Sequence, residues 1–95
     1  PLFIVDVEDR ASLDTMASAC KVVLNTAGPY AKFGSNVVES CARLDTDHVD
    51  LNGEPLWMYE ALNQYQKLAR ASGARNIFSY GFDSISTDLG VQFLQ

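Results

Sequence analysis

The sequence predicts an α/β chain built on one parallel sheet, and three observations predict it. Four short apolar runs, at residues 2–7, 22–25, 48–51 and 76–80, alternate with segments whose apolar residues recur at helical spacing. The runs lack the in-out alternation of a strand with one wet face, so each reads as buried on both faces, as strands of parallel sheets are. Gly, Pro, Asn and Asp cluster where one kind of element gives way to the other. Strand and helix taking turns in this way means helices laid on a parallel sheet through right-handed crossovers.

Each element has its own warrant. Residues 2–7 are aliphatic and aromatic and stop at the acidic group Asp6, Glu8 and Asp9. Asp9 can cap a helix whose stripe is Leu13, Met16, Ala17 and Cys20, with Lys21 closing it near the negative end of the helix dipole. Val22-Val23-Leu24-Asn25 is the second strand, broken by Gly28-Pro29. A helix then begins near Ser35, with Val37, Val38, Cys41 and Ala42 on one face and Glu39 and Arg43 paired at i, i+4 on the other. His48-Val49-Asp50-Leu51 is a short third strand. Pro55 suits the first turn of the longest helix, whose stripe is Met58, Leu62, Tyr65 and Ala69, and Gly73 stands where a left-handed residue ends it. Residues 76–80 make a fourth strand, and a last helix starts between Ser84 and Ser86.

Ninety-five residues allow one domain at most, and 47% hydrophobic with 20% charged residues is the balance of a globular chain. Seven Lys and Arg against twelve Asp and Glu give a net charge of -5, with no basic cluster to neutralise phosphates, so nucleic acid is excluded as an expected partner. No apolar run approaches the roughly twenty residues of a membrane span, and no leader pattern is present, so the chain reads as soluble and cytoplasmic. It opens on Pro1 and closes at Gln95 inside a helical pattern, which reads as a piece of a longer protein. Cys20 and Cys41 lack the spacing of a metal or redox pair and read as reduced helix residues. With one His in the chain, no zinc site is expected.

In an open parallel sheet, ligands bind beyond the carboxyl ends of the strands, which here means residues 6–9, 25–30, 51–54 and 81–84. Gly28 lets a ligand approach the backbone and Pro29 fixes it beforehand; equally, both serve a sharp strand-to-helix turn. Glu54 and Asp83 read either as N-terminal caps or as acid-base groups facing each other across the rim. His48, at the opposite end of its strand, reads as structural, and Trp57 and Tyr59 as core ahead of interdomain contacts. No G-x-G-x-x-G and no Walker-type phosphate loop occurs.

Three strings nevertheless follow one another in order: Asn25-Thr26-Ala27-Gly28-Pro29-Tyr30, Val49-Asp50-Leu51-Asn52-Gly53-Glu54 and Gly81-Phe82-Asp83-Ser84-Ile85-Ser86-Thr87-Asp88-Leu89-Gly90. Together they resemble the N-GPY, VD-GE and GFDS-P-DLG segments of saccharopine dehydrogenase-like oxidoreductases, which close cousins such as the trans-acting enoyl reductases share. The resemblance covers nearly the whole chain. It implies the second half of a Rossmann-like NAD(P)-binding domain, lacking the N-terminal glycine-rich βαβ unit, with residues 2–7 as third strand in the order 3-2-1-4-5-6. That strand's neighbours are then absent, so its edge must stay unpaired, rearrange, or borrow a partner from a second copy in a homo-oligomer.

The resemblance further implies NAD or NADP as cofactor and a small-molecule carbonyl, imine or enoyl substrate. Asp6 and Val7 would lie beside the adenine, and Asn25, Thr26, Ala27, Gly28 and Pro29 along the ribose, pyrophosphate or nicotinamide. Tyr30, Gly53, Glu54, Asp83 and Ser84 would face the nicotinamide and substrate. Ser86 stands where the family has proline, which loosens the loop that places Asp83. The alternative is a non-catalytic dinucleotide-binding or scaffold protein, peripheral on membranes or lipid droplets as some relatives suggest.

Overall fold

The computed structural model describes residues 2–95. Asp9 caps α1 (Arg10–Ser18) as its sequence position suggests, its carboxylate accepting the Ala11 N–H. The helix stops at Ser18, so Cys20 and Lys21 lie beyond it and Lys21 does not close its dipole. Leu13 and Ala17 are buried and Met16 half-buried along the expected stripe.

Strand β1 (Val22–Asn25) leads into a short helix, α2 (Tyr30–Phe33), where the sequence predicts a loop through Gly34. One turn held between Pro29 and Gly34 is too short to show a period. Next, α3 (Ser35–Arg43) buries Val37, Val38, Cys41 and Ala42. The expected Glu39–Arg43 pair is not made. Instead Glu39 takes Arg10 of α1 and Arg43 takes Asp14 of α1, because the two helices pack side by side and offer closer partners. The third run registers one residue earlier than expected, as β2 (Asp47–Asp50), with Asp47 bonded to Arg75.

Pro55 opens α4 (Pro55–Ser72) and Gly73, at φ 100°, ends it by donating its N–H to the Ala69 carbonyl. Its buried residues are Trp57, Ala61 and Ala69, with Tyr65 half-buried. The expected stripe is therefore rotated: Leu62 is exposed, Met58 only half-buried, and Tyr59 faces solvent. Trp57 wins the inward position because its large ring packs at a tilt against Tyr30 and meets Phe78 edge-on.

The fourth run keeps ladder pairing only over β3 (Asn76–Ile77), because Ser79 turns to a positive φ of 57° and ends the strand. The last helix, α5 (Phe82–Leu94), starts earlier than expected, and none of its residues is buried.

β1, β2 and β3 form a parallel sheet in sequence order, with Val23 opposite His48, Asn25 opposite Asp50, and His48 opposite Asn76. The α/β class with a parallel sheet is thus observed, and three of the four expected strands share it. Residues 2–7 do not. They carry no ladder pairing and leave Leu2 and Ile4 at 95% and 96% exposure, while Val5 and Val7 rest against the core of Leu13, Ala17, Val37 and Cys41. A strand is held by its neighbours, and residues 2–7 pair with none of the three strands of this chain. Helices α1, α3 and α4 cover one sheet face, with Val23 packed by α1 and α3, and Phe78 touching Trp57 of α4. The other face, carrying Val22, Leu24 and Ile77, is exposed.

Candidate functional site

Because the three strands are parallel, their following loops gather along one rim, and the sequence of those loops determines how they are tied. Two residues after Asp50, Asn52 donates its backbone N–H (3.1 Å) and its amide nitrogen (2.6 Å) to Asp50 Oδ1. Two residues further, Glu54 donates its N–H to Asn52 Oδ1 at 3.0 Å. These are successive turns in which a short polar side chain captures the backbone two positions on. The same Asp50 Oδ1 accepts the Ser79 N–H at 2.9 Å, and Ser79 Oγ donates to the Asn52 carbonyl. The loops after β2 and β3 are thus fastened to one carboxylate oxygen.

Glu54 makes the remaining connection. Its two oxygens accept the N–H groups of Tyr30 (2.6 Å) and Ala31 (3.1 Å), the free amides at the start of α2. Glu54 is therefore a cap, though of α2 and not of α4, the helix it precedes. Tyr30 is buried, and its hydroxyl donates to the Asn25 carbonyl at 2.9 Å; burial raises its pKa above the ordinary tyrosine value. Asn25 in turn accepts the Ala27 N–H.

The sequence-predicted site residues are placed in three groups. Val7, Asn25, Thr26 and Ala27 line one groove of about 260 Å³ together with Val5, Val23 and Leu24. Asp6 does not line it; its carboxylate accepts the Glu8 N–H in a local turn. Gly28 and Pro29 are exposed at the turn before α2, and a Cβ on Gly28 would meet Tyr30 at ordinary contact distance, its ring at 3.6 Å. Gly53 is exposed with open space where a Cβ would stand. Asp83 and Ser84 line a separate shallow pocket of about 130 Å³ with Leu51, Gly81 and Phe82. Glu54 lines a third, beside Pro55, Leu56 and Trp57, so the two carboxylates do not share a pocket.

The residues that organise the rim most, Asp50, Asn52 and Ser79, were not singled out from the sequence. Their signal was present as polar residues at every second position in Asp50-Leu51-Asn52-Gly53-Glu54, the spacing of successive side-chain-to-backbone turns.

No family model matches the chain, and no solved structure matches it. Curated relatives do. The chain is 40% identical over 94 residues to a trans-acting enoyl reductase of Mycobacterium ulcerans. It is 42% identical over 91 residues to proteins of the same name from Mycobacterium leprae and Mycobacterium bovis. These alignments cover 99% and 96% of the chain, but the chain spans only 22% of the length of the relatives. The chain is thus related to proteins named for an oxidoreductase activity. Among the described residues no helix is long and apolar enough to cross a membrane.

Proposed function

We propose that this chain forms one wall of the cofactor seat of an NAD(P)-dependent oxidoreductase, of the saccharopine dehydrogenase-like kind, that reduces an enoyl group. The observation that carries the reading is the identity of about 40%, along nearly the whole chain, with proteins named trans-acting enoyl reductase. The geometry supports it. The first two matching strings run off the ends of β1 and β2 at one rim, where parallel α/β sheets bind their ligands, and the third follows β3 through Gly81 into α5.

The groove lined by Val7, Asn25, Thr26 and Ala27 has a mainly apolar wall. An apolar wall suits the face of a flat ring, and about 260 Å³ accommodates one end of a dinucleotide, not both. The diphosphate needs a glycine-rich turn that these residues do not contain. In this reading a longer polypeptide supplies it, and residues 1–95 are the second half of the domain. A reduced nicotinamide, when bound, supplies the hydride.

This chain's own residues then have positioning work. Glu54 and Tyr30 hold the turn at Gly28-Pro29 against the loop after β2, and Asp50 holds the loop after β3 to the same rim. Gly53, Asp83 and Ser84 are left at the surface on the substrate side. Calorimetric titration of the full-length polypeptide with NADH and NADPH tests the reading, followed by loss of reduced-nicotinamide absorbance with an α,β-unsaturated thioester. Binding of one cofactor and its oxidation are expected; no binding of either at millimolar concentration overturns it.

A second reading, a dinucleotide-binding module without turnover, is favoured by one observation: both oxygens of Glu54 are already engaged by backbone amides. Cofactor binding with no oxidation across carbonyl, imine and enoyl substrates would select it.

A further inference from the structure

Directly beneath the rim lies a patch of polar side chains that neither the core nor the groove explains. Asn25 and Asp50 are in register on neighbouring strands, as are His48 and Asn76, and His48 and Asp50 are two apart on β2, so all four stand on the covered face. His48 and Asp50 are wholly buried. Yet Nδ1 and Nε2 of His48, Oδ2 of Asp50, Nδ2 of Asn25 and Oδ1 of Asn76 have no hydrogen-bond partner. Unpaired buried polar atoms are few in native folds, and a cluster of them in one patch demands a physical reason.

The geometry around Asp50 supplies one. Its Oδ1 is the tie of the rim, holding Asn52 and Ser79, while its free Oδ2 lies 4.0 Å from Nε2 of His48. That separation is too long for a hydrogen bond and one small movement away from an ion pair. Among the described residues, Asp50 is the one charged group that acts on the imidazole. Its own strand offers Asp50, the β3 side offers Asn76 and the Phe78 ring at 5.7 Å, and α3 and α4 bring no charge to bear.

We infer that His48 and Asp50 are a proton-linked latch for the rim, with Asp50 the positioning residue. A proton taken from solvent onto Nε2 of His48 draws Oδ2 of Asp50 into an ion pair, and the carboxylate carries its tie to Asn52 and Ser79 with it. The only bond formed is N–H on the imidazole. The inference is independent of what the rim binds. Burial opposes the proton, so uptake falls below the ordinary histidine range even with Asp50 favouring it.

The test is a pH titration of the chain followed by amide proton-nitrogen correlation spectra, with the ring protons of its sole histidine read in parallel. The His48 ring is expected to titrate below 6.5, with the Asn52 and Ser79 amides shifting at the same midpoint while amides of α1 stay still. In His48→Gln that midpoint disappears from both amides. Three results would overturn the latch: Asn52 and Ser79 unmoved through the His48 titration, the same midpoint persisting in His48→Gln, or collapse of the whole spectrum at that midpoint. The wild-type comparison decides alone should the variant fail to fold.

Discussion

A carboxylate at a turn can transfer protons or cap a helix, and what decides between them is whether its oxygens are already occupied. Glu54 is occupied by the Tyr30 and Ala31 amides, so its removal strands two donors at the start of α2. Glu54→Ala is expected to cost about 1–2 kcal/mol in urea unfolding, with Glu54→Gln costing less because one acceptor remains. The single histidine makes a second prediction, in pH. Burial lowers the His48 pKa below 6.5, so the unfolded chain binds a proton that the folded chain resists. Stability is therefore complete above 6.5 and declines as pH falls below it. Asp14, held down by Arg43 and Ser40, and Asp47, held down by Arg75, are carboxylates with the same sign in a lower window, contributing above 3.8 and losing that contribution in stronger acid. Urea midpoints measured against pH should show two separate declines, and His48→Gln should abolish only the upper one.

Among the elements, those with local punctuation were legible and those defined by distant neighbours were not. Asp9 before α1, Pro55 opening α4 and Gly73 closing it act within a few residues, and each reads directly from the sequence. Residues 2–7 have the composition of a strand but no strand beside them, and β3 shortens because Ser79 is pulled toward Asp50 across the rim. Neither fact is local. The loops at 26–29 and 51–54 were legible as loops, whereas residues 82–84, expected as loop, open α5, and the tie of Asp50 to Ser79 was hidden because it joins residues 29 positions apart. The α2–α3 junction shows the same dependence on distant residues: a Cβ on Gly34 would stand 2.7 Å from the Trp57 ring and 2.9 Å from the Tyr30 carbonyl oxygen. The carbonyl cannot yield without dragging α2, so Gly34→Ala is expected to cost about 1–3 kcal/mol, measured by urea unfolding. Arg10–Glu39 and Arg43–Asp14 join α1 to α3 between exposed arginines and half-buried carboxylates, still reached by solvent, and breaking either should change stability by about 1 kcal/mol or less.

For the molecule as a whole, the two faces of the sheet are in opposite situations. Parallel sheets are ordinarily covered on both faces, because their strands are apolar on both. Here α1, α3 and α4 close one face, whereas Val22, Leu24 and Ile77 on the other are 53%, 67% and 41% exposed, and α5 buries none of its residues against anything. Burial, and with it the hydrophobic contribution to stability, is therefore concentrated on the helix-covered side. Two substitutions of like chemistry should separate the faces. Leu24→Thr on the open face removes apolar surface that water already reaches, and threonine suits a strand, so its effect is expected within about 0.5 kcal/mol of zero. Val38→Thr sets a hydroxyl into a position with no exposure at all, between Tyr30, Trp57 and Ala61, and should cost about 1–3 kcal/mol. Binding of a hydrophobic dye should fall in the first variant and hold or rise in the second. Equal destabilisation by the two would mean that the open face is covered in solution, and the one-sided packing described for this chain would have to be abandoned.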